Sequence, residues 1–240
     1  QQGKCNELPF FYHQKQNKMN TQTSLFETPN NISPISYVKC IEFRAIGKVR
    51  EYSIELCERK EIVGFVEAWH YSKNVNGLTT DYCFKLLDVD GNMIGAMIYG
   101  KIAMANVWKR YAKIETDLIE LKRLCCIDNT LKNTESYFIG STLRWLKKNT
   151  KIKTVISYAD TTYNHEGTIY KASNFTHFGM TAKGRVIMYE GRRYHDKTIR
   201  TKYKGELKPF AVRIAKALKE GFAEYVKTLG KHIYLYKLRG

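Results

Sequence analysis

No apolar run in this chain approaches the length that spans a bilayer, which argues against a membrane protein. The first residues, Q-Q-G-K-C-N-E, lack the apolar core of a secretory signal, so export is not expected. Six cysteines stand at 5, 40, 57, 83, 125 and 126, with no C-x-x-C pair and no second Cys/His cluster. That disfavours a zinc knuckle. Cys125 and Cys126, adjacent in an apolar segment, read as free buried thiols of a reducing cytoplasm. No basic amphipathic helix shows the broad apolar face of a membrane anchor, and there is no internal repeat. Acidic residues are scarce, 23 against 40 Lys and Arg, for a formal net charge of +17. A field of that size attracts polyanions, and without a membrane anchor nucleic acid is the favoured partner.

The 240 residues are 43% apolar and 13% aromatic, enough for one domain with a real core. Residues 1–36 are rich in Asn, Gln, Thr and Ser and carry Pro9, Pro29 and Pro34. They read as a poorly ordered arm. Residues 37–240 read as a single domain, with 191–240 as its basic C-terminal extension. The expected order begins with a strand over Tyr37–Phe43 and a helix over Val49–Trp69, which Gly64 divides or bends. A hairpin follows, Tyr82–Leu87 and Met93–Tyr99 around Asp90-Gly91. Lys101–Tyr111 reads as an irregular or helical insert.

Leu118–Ile127 is a long expected strand with Glu120 and Lys122 on one face and Arg123 on the other. Charges inside a strand mark an edge or a face turned to a cleft. Asn133 or Thr134 caps a helix to Lys148, with Phe138, Ile139, Leu143 and Leu146 inward. Two strands are expected within 181–190, a helix from Pro209 to Leu229, and a last strand over His232–Leu238.

The most informative stretch is Lys153–Gly179. A β-branched strand, Thr154–Tyr158, runs to Asp160, then to a polar loop with Tyr163, Asn164 and His165. A helix over Glu166–Ser173 carries Tyr170. This is how an α/β protein presents a site at the carboxyl edge of its sheet. An Asp after a strand also serves as a turn former or cap, and a loop His is often solvated. His70-Tyr71-Ser72-Lys73 closes an expected helix, where function and C-terminal capping are equally open. Residues 191–205, G-R-R-Y-H-D-K-T-I-R-T-K-Y-K-G, interleave cations with Tyr194 and Tyr203, as phosphate contact plus base stacking requires. A solvated loop is the alternative.

Several segments carry a resemblance: H-Y-S-K at 70–73, I-Y-G at 98–100, I-E-L-K-R-L-C at 119–125, K-N-T-E-S-Y-F-I-G-S-T-L-R at 132–144, and S-Y-A-D…H-E-G-T-I-Y-K-A-S-N-F at 157–175. Together they resemble the Mom family of bacteriophage DNA-modification proteins, and the element order resembles the GNAT acyltransferase fold. The resemblance covers about residues 60–190. It implies an α/β (α+β) architecture, a mixed, largely antiparallel twisted sheet flanked by helices; the basic C-terminal helix and strand beyond it are read from the residue pattern alone.

It also implies a reaction: a carbamoylmethyl group added to adenine of phage DNA, shielding it from host restriction enzymes. Carried over by position, Asp160 and Tyr170 form the core of the site, completed by His70, Tyr71, Arg123 and Ser136. Asp160 is the expected general base for the exocyclic amine of a flipped or single-stranded adenine. Tyr170 stacks on the base or donates to the leaving group. Asn133, Thr134, Ser136 and Arg123 are expected to hold an anionic donor, acyl-CoA-like or otherwise. The His70–Tyr71 end is the suggested place for a metal, iron by the resemblance. Arg192, Arg193, Lys202, Lys204 and Tyr194 are the expected contacts to double-stranded DNA. The Gly-rich pyrophosphate loop of ordinary acetyltransferases is missing from Asp128–Ser136. Two alternatives are kept: a conventional N-acetyltransferase, and a non-catalytic basic DNA-binding protein. The implied setting is the host cytoplasm, and a homodimer is left open.

Overall fold

Alternating apolar residues and the Asp90-Gly91 turn build the centre of the molecule. In the computed structural model, which describes residues 45–239, β2 (Tyr82–Leu87) and β3 (Met93–Gly100) pair as the expected hairpin. Asp88 holds that turn by accepting the N–H groups of Asp90 and Asn92. β1 (Ser53–Cys57) adds to the β2 edge, and β4 (Leu118–Cys126) pairs with β3. β5 (Thr154–Asp160), β10 (Lys231–Lys237) and β6 (Thr176–Met180) complete a seven-stranded sheet in the order β1-β2-β3-β4-β5-β10-β6. β4 and β5 run parallel; every other paired strand in this sheet is antiparallel. Helices α1 (Arg59–Trp69), α2 (Thr134–Asn149) and the short α3 (Thr168–Ala172) pack with it. This is the mixed, largely antiparallel, helix-flanked sheet that the GNAT resemblance implied.

Helix α2 buries Phe138, Ile139, Leu143 and Leu146, the four residues its spacing predicts. Each contributes roughly 1.5–3 kcal/mol by leaving water. Between them Thr142 is satisfied by the Tyr99 hydroxyl at 2.8 Å and by the carbonyls of its own helix. Cys125 is buried and Cys126 half-buried, both free thiols, their ionisation pushed up by burial.

A second sheet, β8-β7-β9, comprises β8 (Arg192–His195), β7 (Gly184–Tyr189) and β9 (Ala223–Thr228). Helix α4 (Pro209–Glu220) covers one face through Ile214 and Ala217 against Ile187 and Ala223.

The structure corrects several boundaries. The helix expected over 49–69 begins only at Arg59, because Ser53–Cys57 pairs with β2. The start is set by Glu58 and Glu61, which form a capping box. The helix expected to Leu229 stops at Gly221, left-handed at φ 81, and 223–228 is a strand. Tyr225 and Leu229, which helical spacing would place on one face with Ile214 and Leu218, lie beyond the helix and are exposed. Within 181–190 there is one strand, β7, not two; its neighbours are β6 before and β8 after. The arm over 1–36 and the strand expected at 37–43 lie outside the described residues.

Candidate active site

The parallel pairing of β4 with β5 ends at Leu121 opposite Ser157. Beyond that point the strands have no further partners in each other, and a cavity of about 290 Å³ opens. Its lining includes Lys122 and Leu124 of β4, Tyr158 and Ala159 of β5, and residues 164–170. His70 and Tyr71, after α1, close another side. A register shift between Ile98 and Tyr99 leaves Lys122 without a partner residue on β3. Such a bulge re-aims a side chain. Gly167 makes the turn into α3 with φ +74, and a β-carbon there would overlap the Tyr234 ring. That close approach lets the Tyr234 hydroxyl donate to the Glu166 carbonyl at 2.5 Å.

The mouth is aromatic. The Tyr71 ring lies 4.2 Å from His70, 4.5 Å from Tyr163 and 4.9 Å, edge-on, from His165, measured between ring centroids. Tyr71 and Tyr163 remain about two-fifths exposed, at 41% and 43%. The H-Y-S-K segment and the 161–165 loop thus meet in space, although they are far apart in sequence.

His70 itself is buried. The Ser72 N–H donates to its Nδ1 at 3.1 Å, and the Ser72 hydroxyl stands 2.8 Å from the same nitrogen. Burial, then the charge of Arg123, then His165 lower its pKa to about 3, so the ring is neutral at physiological pH. Tyr170, half-buried, is pushed up to about 12, first by burial and then by neighbouring groups including Tyr71, despite a hydrogen bond with Ser157. It therefore stays a phenol and a donor. The Tyr71 phenol is likewise raised, by burial and by the Asp160 charge, with Arg123 and Arg193 opposing. Arg193, on β8, is thus electrostatically in reach of the mouth. Arg123 is held by donating to the Lys122 carbonyl at 2.7 Å and the Asn74 carbonyl at 3.3 Å.

Asp160 is engaged on both carboxylate oxygens. Its side chain is buried, and Lys231 Nζ pairs with one oxygen at 2.9 Å while the Thr162 N–H donates to the other at 3.1 Å. Burial alone would raise its pKa, but the Lys231 contact and the Thr162 N–H outweigh it and hold the carboxyl below the usual range. It is not among the residues lining the cavity. The carboxylate ties the start of the 161–165 loop to β10, and its charge reaches the Tyr71 phenol at the mouth.

The expected donor residues separate too. Asn133 and Ser136 line a different, larger cleft of about 660 Å³, with Arg50, Lys132, Arg144 and Lys147. The Ser136 hydroxyl donates to the Asn133 carbonyl, while Thr134 is fully buried and donates to Leu131. Arg123 lines neither cleft. Among the expected DNA contacts, Arg192, Arg193, Lys202 and Lys204 are exposed. Tyr194 is half-buried, its ring packing against the core beneath α4. Tyr203, exposed at 63% with Lys204 and Lys208 over its ring, is the aromatic that sequence reasoning undervalued. Lys122 was the other omission; its position on a cleft-facing strand was visible, but the bulge that turns it inward was not.

The family model of the Mom protein family matches residues 51–240. The chain belongs to the Mom protein family. No curated protein sequence matches it. Solved structures similar to this Mom family member include an acetyltransferase of Bacillus subtilis in complex with CoA, at 13% identity and TM-score 0.45, covering 78% of this chain and 99% of that one. A spermidine N-acetyltransferase of Vibrio cholerae gives 9% and 0.46, covering 79% and 95%. An N-acetyltransferase of Staphylococcus aureus gives 13% and 0.43, covering 78% and 99%.

The residues at the His70–Tyr71 end do not fit the iron that the resemblance suggested. His70 Nδ1 is already engaged by the Ser72 N–H and hydroxyl and is not open to a metal. Among the described residues no group of three His, Cys, Asp or Glu is gathered for a metal ion. No helix among them is long and apolar enough to cross a membrane.

Proposed function

We propose that this Mom family protein adds a carbamoylmethyl group to the exocyclic amine of adenine in double-stranded DNA. The observation that carries the reading is the cavity at the β4–β5 parting. Tyr71, Tyr163 and His165 rim it, Tyr170 lines its wall, and Arg193 stands in electrostatic reach. An exposed aromatic rim suits a base that has left its stack, because stacking on it offsets part of the unstacking cost. Arg192, Arg193, Lys202 and Lys204 neutralise backbone phosphates within the +17 field.

In the reaction the adenine N6 attacks the transferred carbon. The donor's leaving group departs with the bonding pair, and one N6 proton passes to a base. His165, an imidazole on the cavity lining, takes that proton; Asp160, committed to Lys231, holds the loop that carries it. Tyr170, a protonated phenol, donates to the leaving group. The cationic cleft along α2, with Arg50, Lys132, Arg144 and Lys147, receives an anionic donor whose leaving group sits on the methylene carbon that becomes bonded to N6, because acyl transfer from a thioester would give an amide instead. Modification made in the host cytoplasm would deny host restriction enzymes their adenine contacts.

The test is expression in bacteria, digestion of total DNA to nucleosides and mass spectrometry of the adenosines. The expected result is an adenosine heavier by one carbamoylmethyl group. Soluble protein that binds duplex DNA with a steep salt dependence yet leaves adenine unmodified would select the non-catalytic alternative.

A further inference from the structure

Beneath the aromatic rim lies a cation that neither the fold nor the reaction scheme above uses. The Lys122 side chain is 2% exposed and lines the cavity at the point where β4 and β5 part. Its only ion-pair or hydrogen-bond partner among the described residues is Glu120, at 3.1 Å. An ammonium has three N–H donors, so two are left over in a place shielded from bulk water. A buried lysine of this kind is costly, and a simple structural pair would be replaceable by apolar residues. The bulge at Tyr99 and Leu121 keeps it aimed inward, and Gly100 packs directly against its alkyl chain.

We infer that Lys122 is a substrate-binding residue, which donates hydrogen bonds to the carbonyl oxygen of the transferred group, and that Glu120 is the residue that positions it. The inference rests on the group transfer proposed above. Depth decides between the two reactants. The Tyr71 and Tyr163 rings, proposed to stack on the base, are about two-fifths exposed, whereas the Lys122 side chain is 2% exposed. A planar base held at the rim leaves the interior for the small carbonyl-bearing group. A Lys–Glu pair also carries no net charge, which suits a neutral carbonyl better than a free anion.

The experiment compares wild type, Lys122→Met and the double variant Glu120→Gln/Lys122→Met in bacterial cells, with the cell's own donor pool as the probe. Modified adenosine is quantified by mass spectrometry. Melting temperature and affinity for an oligonucleotide duplex with one unpaired adenine are measured on purified protein. Loss of charge-assisted bonds to the group predicts a fall in product of about tenfold or more. Duplex affinity should stay within about twofold, and the double variant should melt close to wild type because it buries no unpaired charge. Product within about twofold of wild type in either folded variant overturns the inference alone. A loss of duplex affinity that matches the loss of product places Lys122 on the base and overturns it as well. If both variants melt far below wild type, the pair is structural and the inference fails. Unmodified adenine with wild-type protein overturns the proposed function itself, and this inference with it.

Discussion

Replacing Asp160 by Asn separates two accounts of that carboxylate. If it were the base, the variant would lose product with its stability intact, since Asn is nearly isosteric. The geometry argues otherwise. The carboxylate is 6% exposed and pairs at 2.9 Å with Lys231, itself 45% exposed. A half-exposed pair of this kind is screened and worth about 1 kcal/mol. The Thr162 N–H keeps an acceptor in Asn, but a neutral one, at a cost of about 1 kcal/mol. The sum, about 1–2 kcal/mol, corresponds to roughly 2–8 °C in a domain of this size.

The pH dependence adds a signature. The folded carboxyl titrates below its unfolded value, so its stabilisation is fully present above the ordinary Asp pKa of about 3.9 and fades as pH falls through the lower folded value. The gap in melting temperature between wild type and Asp160→Asn should be constant from pH 8 to about pH 5 and close under stronger acid. Product should fall about tenfold, because the 161–165 loop loosens. An Asp160→Asn protein that melts like wild type across this range and makes no product would refute the positioning account and restore the general base.

Gly167→Ala should be more damaging than an ordinary loop substitution, at about 2–4 kcal/mol. It combines a left-handed φ of +74 with overlap on Tyr234, and denaturant unfolding will read the loss. Arg193→Ala should weaken duplex binding about equally across sequences and reduce the slope of log affinity against log salt by about one, measured by fluorescence anisotropy.

How much of this was legible without coordinates depends on the range of each interaction. The α2 helix and the β2–β3 hairpin follow from local periodicity and a single turn, and both form as expected. The 49–58 segment does not, because Tyr52 and Leu56 have helical spacing while Ser53–Cys57 is claimed by the edge of β2, a tertiary demand that local pattern cannot show. The partial burial of Tyr194 was hidden for a similar reason: its neighbours are basic, but its position on the second sheet packs it against the core under α4. The gathering of His70, Tyr71 and the 163–165 loop could be anticipated only through the family resemblance. Nothing in a strand ending in Asp160 reveals that Lys231, seventy-one positions on, will occupy its oxygens.

The separation of the two cavities carries its own consequence. Thr168, Ile169 and Tyr170 line the smaller one, and Ala172, Ser173 and Asn174 the larger, so the five-residue helix α3 is the partition between them. If the donor lies along α2 and the adenine at the aromatic rim, the transferred group must reach past Tyr170. Ala172 is exposed on the donor side, where a larger side chain meets solvent before it meets the core. Ala172→Trp should therefore leave folding and duplex affinity within about twofold of wild type while modified adenosine falls about tenfold or more, since the indole fills volume the donor needs. The comparison variant Ala172→Ser should retain product. Full modification by Ala172→Trp, in protein whose melting and DNA binding are unchanged, would mean that the donor enters by another route and that the larger cleft takes no part in the reaction.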